Sequence, residues 1–295
     1  MATSERVAVL GAGGTMGFPM ARNIARASIE VRAWNRSRQK AEPLAEDGVS
    51  VCDTPAEAAD GAGIVITMLA DTDAVIAAME GDRGALATAD ESMIWLQMST
   101  IGEAGTERCM TLARDHGVAF VDAPVLGTKQ PAEQRQLVVL ASGPVQTRDR
   151  VQPIFDAIGK KTIWVGEAGM GTRLKLVTNS WVLAVTEAAA EMIALAQGLG
   201  VDPALFFEAI EGGTLDLPYL RLKSKAILDH DFQPMFRLKL AAKDAALIEE
   251  SATRRGLDLP LFGVIREQMG KAAEEHGDLD MSATFFASAP ASRAA

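Results

Sequence analysis

Short apolar runs alternate with stretches of helical periodicity through a little more than half of this sequence. Several runs are continuously apolar, which is typical of strands buried on both faces of a sheet. They predict strands at residues 7–10, 31–34, 64–69, 93–98, 118–125, 137–140 and 162–165. A helix is predicted at 16–27. Another should begin after Thr54, because Thr54 and Glu57 form a capping box around a proline at the first helical position. This alternation predicts a mainly parallel, doubly wound α/β sheet.

Helical periodicity replaces the alternation after Gly171. Thr172 is expected to cap a long helix that runs to about Gly198, and Asp202 followed by proline predicts the start of another. Two further helical patterns, and no strand pattern, are recognised beyond that point, at residues 236–255 and 260–276.

These patterns predict two domains. We expect an α/β domain at residues 1–168 and an all-α domain at residues 169–295, in which residues 285–295 form a disordered tail. The long helix carries Lys175 close to the junction, where clefts usually lie.

The link between the first strand and the first helix is rich in glycine. Glycines there permit a tight turn and let backbone amides approach a pyrophosphate, which predicts a Rossmann-type dinucleotide-binding domain. Gly11, Gly13 and Gly17 are spaced one residue wider than the usual G-x-G-x-x-G, whereas an alignment on Gly14 and Gly17 places Ala12 at the first glycine. The two alignments leave open which amides face the phosphates. A merely tight turn is the structural alternative.

The second predicted strand ends in Asn35, Arg36 and Ser37. An NAD site would be expected to offer Asp or Glu here to the ribose 2′-hydroxyl, but no acid is present. Hydrogen-bond donors and positive charge suit a 2′-phosphate, so the segment favours NADP over NAD. A solvated basic turn is the alternative interpretation.

Lys175 and Asn179 lie four residues apart at the start of the long helix. This spacing places both side chains on one helix face, one turn apart. Because that face is otherwise apolar, the ammonium of Lys175 should lose hydration and become a useful proton donor near neutral pH. A lysine that extends from a core helix to water is the alternative.

Composition narrows the function classes. The 295 residues carry a net charge of −10, which argues against nucleic acid or an anionic membrane as a partner, and no apolar run reaches membrane-spanning length. Cys52 and Cys109 have no metal or redox spacing, so we expect a reducing compartment, the cytoplasm, and no metal. Residues 1–6 lead directly into a strand and are not expected to form a signal peptide.

Several separated motifs, in order, resemble those of the β-hydroxyacid dehydrogenases, which include 3-hydroxyisobutyrate dehydrogenase, tartronate semialdehyde reductase and the glyoxylate/succinic semialdehyde reductases. The resemblance covers nearly the whole length. The motifs are the glycine loop with Met16-Gly17, Met68-Leu69, Met98-Ser99-Thr100-Ile101, Asp122-Ala123-Pro124-Val125, the segment 171–179, and Lys243-Asp244 after Phe232-x-Pro234-x-Phe236-x-Leu238. Residues 127–133 look more like the glyoxylate/succinic semialdehyde branch than the 3-hydroxyisobutyrate branch.

The resemblance implies an NADP-dependent oxidoreductase that interconverts a small carbonyl compound and its hydroxy acid or alcohol. It implies that Lys175 donates the proton in reduction and that Asn179 holds the substrate and orients Lys175. The implied cofactor-binding residues are Gly11, Gly13, Gly14, Thr15, Met16, Asn35, Arg36, Ser37, Met68, Leu69, Thr100 and Lys243. The implied substrate-binding residues are Ser99, Leu126, Gly127, Thr128, Lys175 and Asn179. The all-α domain would serve substrate binding and oligomerisation, and we expect a homodimer or homotetramer.

One position departs from the family pattern. The family usually has serine, which helps to bind the substrate carboxylate, where this chain has Leu126. Two rival functions share the architecture. Imine reductases typically lack the lysine, and inactive relatives that serve as interaction modules would be expected to lose it. Lys175 therefore argues against both.

Overall fold

The structure, a computed structural model, describes residues 5–289. The chain divides into two compact units, Met1–Lys175 and Leu176–Ala295. The expectation for residues 1–4, and that for the tail beyond residue 289, lie outside the described residues.

The first unit contains two sheets. Its strands are β1 (Val7–Leu10), β2 (Val31–Trp34), β3 (Ser50–Val51), β4 (Ile64–Thr67), β5 (Ile94–Gln97), β6 (Ala119–Asp122), β7 (Val125–Leu126), β8 (Leu137–Ala141) and β9 (Gly159–Trp164). The first six form a parallel sheet in the order β3-β2-β1-β4-β5-β6. In the second sheet β8 lies between β7, which is antiparallel to it, and β9, which is parallel to it.

Helices cover the parallel sheet on both faces. Those of the first unit are α1 (Gly17–Arg26), α2 (Pro55–Ala59), α3 (Thr72–Met79), α4 (Gly102–Asp115), α5 (Lys129–Glu133) and α6 (Arg148–Ile158). One apolar cluster includes Ile24 of α1 and Phe155 of α6. The other includes Trp95 and Met79. Because β1, β4 and β5 are buried at every residue, their apolar runs are continuous, and the predicted doubly wound sheet is confirmed.

The strand predicted at 118–125 is wrong as a single element. β6 ends at Asp122 and β7 begins at Val125 in the other sheet. Pro124 lies between them, and a proline cannot donate the ladder hydrogen bond that a continuous strand would need there.

The second unit is helical, as predicted. The long helix α7 (Met170–Gly198) leads into it, followed by α8 (Pro203–Ile210), α9 (Pro218–Leu228), α10 (Leu238–Arg254), α11 (Pro260–His276) and α12 (Phe285–Ser288). Asp202 caps α8, because its Oδ1 accepts the Ala204 N–H at 2.9 Å. The tail predicted from residue 285 is wrong for the segment that forms α12, where Phe285 is buried. None of the helices within residues 5–289 is both long and apolar enough to cross a membrane.

A buried ion pair organises the second unit. Lys223 Nζ of α9 lies 2.7 Å from Asp280 Oδ1, and both side chains are buried. Asp280 also accepts the backbone N–H groups of Met235, Phe236 and Ser282. Burial alone would raise the pKa of Asp280, but Lys223 and these donors outweigh it and lower the pKa.

Candidate active site

The turn between β1 and α1 requires glycine at two positions. Gly11 has a φ of +95°, and a Cβ there would lie 2.2 Å from the carbonyl oxygen of Met68. A Cβ on Gly17 would lie 2.3 Å from the carbonyl oxygen of Gly11. The turn therefore passes directly against the end of β4, and the first residue of α1 packs directly against the turn.

Gly13 lies between these two glycines and approaches the end of β2, because a Cβ there would lie 2.7 Å from Asn35 Cγ. Gly14 and Thr15 are exposed, and Met16 is half-buried. Close backbone packing therefore requires glycine at positions 11 and 17, and which amides face the phosphates stays open.

The start of α1 fits a pyrophosphate. The helix has no side-chain cap and no acidic residue in its first turn. Its positive end is therefore not neutralised by a carboxylate, and glycine leaves room for a phosphate to approach the backbone.

The two arginines of the segment after β2 have different surroundings. Asn35 Nδ2 donates to the carbonyl oxygen of Ser37 at 2.9 Å, which shapes the turn. Arg38 is paired with Asp53 at 2.7 Å and lies 3.6 Å from Glu42, whereas Arg36 is exposed. The positive charge of Arg38 is therefore partly neutralised by these carboxylates.

A buried polar network joins the ends of β4 and β5. Trp95 Nε1 donates to Thr67 Oγ1 at 3.0 Å, and Gln97 bonds the backbone of Ser99 through both ends of its amide, each at 2.7 Å. The Ser99 hydroxyl accepts the Leu69 N–H at 2.8 Å and donates toward the carbonyl oxygen of Thr67. Ser99 is 1% exposed, so here its hydroxyl holds the loop of Leu69 in place.

Substrate contact by Ser99 stays a prediction, as does cofactor contact by the half-buried Thr100.

Three further predicted residues follow one another at the end of β7. Leu126 is half-buried and pairs with Val138 of β8. Gly127 has a φ of +131°, and a Cβ there would lie 2.7 Å from a side-chain carbon of Leu137. Thr128 precedes α5 without capping it through its side chain. This segment turns sharply and requires glycine at its centre.

The prediction that Thr172 caps the long helix is wrong, because α7 already begins at Met170. The carboxylate that accepts hydrogen bonds from the first turn belongs to Asp122, the last residue of β6. Asp122 Oδ2 accepts the Thr172 N–H at 2.7 Å, and Oδ1 accepts the Thr172 hydroxyl at 2.8 Å. Burial raises the pKa of Asp122 to about 6, against the lowering effect of these bonds. Lys175 follows within the same turn and is 8% exposed, as the expected loss of hydration requires.

In the second unit, Asp244 of α10 organises two predicted residues. Asn179 Nδ2 donates to Asp244 Oδ2 at 2.6 Å, and Lys243 Nζ lies 3.0 Å from Asp244 Oδ1. Asn179 is 2% exposed. Since its amide nitrogen faces Asp244, its carbonyl oxygen points away from that carboxylate. The sequence motif contained Asp244, but its role in orienting Asn179 was missed.

The structure brings several predicted residues together in the first unit. Gly11 meets Met68, Gly13 meets Asn35, and Leu69 meets Ser99, at the carboxyl ends of neighbouring parallel strands. Such strand ends are where open α/β sheets bind ligands. Within residues 5–289, no three His, Cys, Asp or Glu side chains cluster as metal ligands.

Family models of nicotinamide-dependent dehydrogenases match both parts of the chain. Residues 6–166 match the family described as the NAD binding domain of 6-phosphogluconate dehydrogenase. Residues 169–286 match the family described as NAD-binding of NADP-dependent 3-hydroxyisobutyrate dehydrogenase. Glyoxylate/succinic semialdehyde reductase 2 of Arabidopsis thaliana is 32% identical over 93% of this chain and 77% of that protein.

Solved structures give the same picture. A 3-hydroxyisobutyrate dehydrogenase of Mycobacterium tuberculosis, solved with L-serine, superposes with a TM-score of 0.86 at 29% identity, over 96% of this chain and 99% of that one. An imine reductase from Myxococcus stipitatus gives a TM-score of 0.65 at 19% identity, over 95% and 98% of the two chains. The latter likeness concerns the fold alone.

Proposed function

We propose that this chain, which belongs to the β-hydroxyacid dehydrogenase family, reduces a small aldehyde or keto acid with NADPH and can run the reverse oxidation. Membership makes it an oxidoreductase with a nicotinamide cofactor. The observation that carries the catalytic proposal is Lys175, buried near the start of α7 with Asn179 one turn later.

Lys175 would act on the substrate oxygen. The nicotinamide supplies the hydride when it is bound. As negative charge develops on the carbonyl oxygen, the ammonium of Lys175 stabilises it and then gives it a proton. Because this charge is greatest in the transition state, the lysine lowers the barrier more than it strengthens substrate binding. Asn179, oriented by Asp244, would accept a hydrogen bond from the substrate hydroxyl or from Lys175.

Support for NADP comes from the end of β2. Asn35 and Ser37 supply donors in an ordered turn, and Arg36 is exposed beside them. A 2′-phosphate is negatively charged and can form an ion pair with Arg36, whereas a 2′-hydroxyl is uncharged and cannot.

Leu126 would shift the substrate range. A leucine removes the hydroxyl donor that the family usually offers to a carboxylate, and leaves the backbone amides of Gly127 and Thr128. We therefore propose that longer or less polar carbonyl compounds are better substrates than short acids such as glyoxylate. Lys175 and Lys243 are both retained, which disfavours an inactive interaction module.

A homo-oligomer and a cytoplasmic location complete the proposal. Along one side of α7, Val177, Trp181, Leu195 and the adjoining Leu199 are all exposed. Exposed apolar residues on one long helix are typical of a surface that packs against another copy. Both cysteines are free and buried, as in proteins of a reducing compartment.

We expect NADPH to have a kcat/KM at least tenfold above NADH, about 1.4 kcal/mol. Arg36→Ala should weaken the binding of NADPH strongly and that of NADH little, because only NADPH carries the 2′-phosphate. Arg114→Ala, which removes an exposed arginine at the end of α4, is the charge-matched control. Steady-state kinetics with both cofactors measure this, and equal wild-type efficiencies would refute the preference.

Lys175→Met keeps an apolar stem in the buried position but removes the ammonium. It should lower kcat by roughly two to four orders of magnitude, the usual range for loss of a general acid, while the Kd for NADPH stays near wild type. Lys239→Met changes a half-exposed lysine of α10 and should have little effect. A Lys175→Met enzyme that reduced carbonyl compounds normally would refute the role of this lysine as proton donor.

Leu126→Ser should raise kcat/KM for a short keto acid by roughly tenfold, because a hydrogen bond to a charged acceptor contributes on the order of 1–3 kcal/mol. Leu126→Ala separates the two causes, since it reduces size without adding a donor. Kinetics with a matched acid and non-acid pair measure the effect. If Leu126→Ser and Leu126→Ala change kcat/KM for the keto acid equally, the effect comes from the smaller side chain and not from a hydroxyl donor.

The oligomer can be tested by sedimentation at micromolar concentration. Wild type should sediment as a dimer or tetramer, and Trp181→Glu should shift it toward a monomer because the substitution places a charge in an apolar contact. Val145→Glu is the control, as Val145 is 66% exposed in the first unit and Trp181 is 64% exposed. A monomeric wild-type protein would contradict the proposal.

A further inference from the structure

We propose that Asp122 is a positioning residue for the reaction, which acts by holding the first turn of α7 and thereby setting the place of the Lys175 ammonium. The proposal rests on the proposed role of Lys175 as proton donor. It deepens that function by naming the group that supports the donor.

The contact between Asp122 and α7 uses both carboxylate oxygens. Oδ2 accepts the backbone N–H of Thr172 at 2.7 Å, and Oδ1 accepts its hydroxyl at 2.8 Å. The Thr106 hydroxyl of α4 lies 3.1 Å from that of Thr172. Since the Thr172 hydroxyl already donates to Asp122, Thr106 must be the donor in this second contact.

Ser142, next to the end of β8, completes the attachment. Its hydroxyl accepts the Gly171 N–H at 2.8 Å and lies 3.2 Å from Asp122 Oδ2. The backbones of Asp122 and Ser142 also exchange hydrogen bonds of 2.9 and 2.7 Å. We call the four residues Asp122, Ser142, Gly171 and Thr172 the clasp.

Gly171 shows how closely the clasp is packed. A Cβ on this residue would lie 2.3 Å from the carbonyl oxygen of Leu140 and 2.9 Å from that of Asp122. The start of α7 is therefore pressed against the backbones of β6 and β8, and it can move only if the clasp opens.

The charge on Asp122 suits this role at neutral pH. Burial raises its pKa to about 6, so at pH 8 it is ionised and both oxygens accept hydrogen bonds. A negative charge also complements the positive end of a helix. Among its neighbours, the pKa of Cys109 on α4 is raised to about 12 by burial, so that thiol is neutral. Arg173 and Glu103 neutralise each other at 2.7 Å.

Lys175 lies three residues after Thr172, about 4.5 Å further along the helix axis. The first amides of a helix have no partners within it, so loss of their acceptors frays the turn that they start. Lys175 is held by this turn. A displacement of a catalytic group by about 1 Å costs on the order of a hundredfold in rate.

The experiment is a double-mutant cycle at pH 8 between Asp122→Asn and Lys175→Met. Asp122→Asn preserves shape but turns one acceptor into a donor that faces donors. It should lower kcat roughly 10- to 100-fold and leave the Kd for NADPH within twofold, because the glycine loop is untouched. In the Lys175→Met background the same change should cost less than threefold, since a residue that acts through Lys175 has nothing left to position.

Three threonine variants test whether the effect is merely structural. Thr172→Ser retains both donors to Asp122 and should keep wild-type kcat, whereas Thr172→Val removes the hydroxyl donor and should lower kcat. Thr106→Val is an isosteric control on the other side of the same hydroxyl, and its kcat should stay near wild type. If Asp122→Asn fails to fold, Ser142→Ala replaces it in the cycle.

The outcomes separate the two proposals. An active Lys175→Met enzyme would overturn the proposed function itself. An inactive Lys175→Met enzyme with wild-type kcat in Asp122→Asn would overturn the clasp alone. Equal losses from Asp122→Asn with and without Lys175 would likewise overturn it, because the effect would then not pass through the lysine.

Discussion

A buried carboxylate at the positive end of a long helix is the interaction that fixes the start of α7 in the first unit. Asp122 ends the edge strand of the parallel sheet, joins it to β8 through Ser142, and gives the first turn of α7 acceptors that a helix start otherwise lacks. Burial opposes its ionisation, and the hydrogen bonds from Thr172 and Ser142 favour it. By the positioning role that we propose, this contact also sets the place of Lys175.

The second unit contains two further buried carboxylates that join separate segments of the chain. Asp280 pairs with Lys223 and collects backbone donors, and Asp244 holds Asn179 beside Lys243. A buried charge is tolerated only when it is paired and hydrogen-bonded, so removal of one partner leaves an uncompensated charge and is strongly destabilising. Each of these acids therefore links residues that are far apart in the sequence.

The parts of the fold that depend on local rules could be predicted from the sequence. The sheet was predictable because strands buried on both faces are apolar throughout. The glycine turn was predictable because two requirements lie within the turn itself: Gly11 has a φ of +95°, and a Cβ on Gly17 would collide with the carbonyl oxygen of Gly11. Helix α9 was missed because its buried face includes Lys223, which a hydropathy pattern assigns to solvent. The cap of α7 was misassigned because its acceptor, Asp122, lies 50 residues before Thr172. The role of Asp244 was missed for the same reason, since it lies 65 residues after Asn179. Contacts over such separations leave no trace in local periodicity.

Cofactor and substrate recognition rest on different kinds of constraint. The turn that would bind the cofactor is set by backbone approach at Gly11 and Gly17, where any side chain would collide with a carbonyl oxygen. Of the residues predicted to bind substrate, Ser99 has its hydroxyl already engaged by the backbone, and Leu126 offers no donor. A short acid that also uses Lys175 to balance its carboxylate would share one ammonium between that carboxylate and the carbonyl oxygen to be protonated. A substrate without a carboxylate leaves the ammonium to the carbonyl oxygen alone, which is the physical ground for expecting less polar substrates.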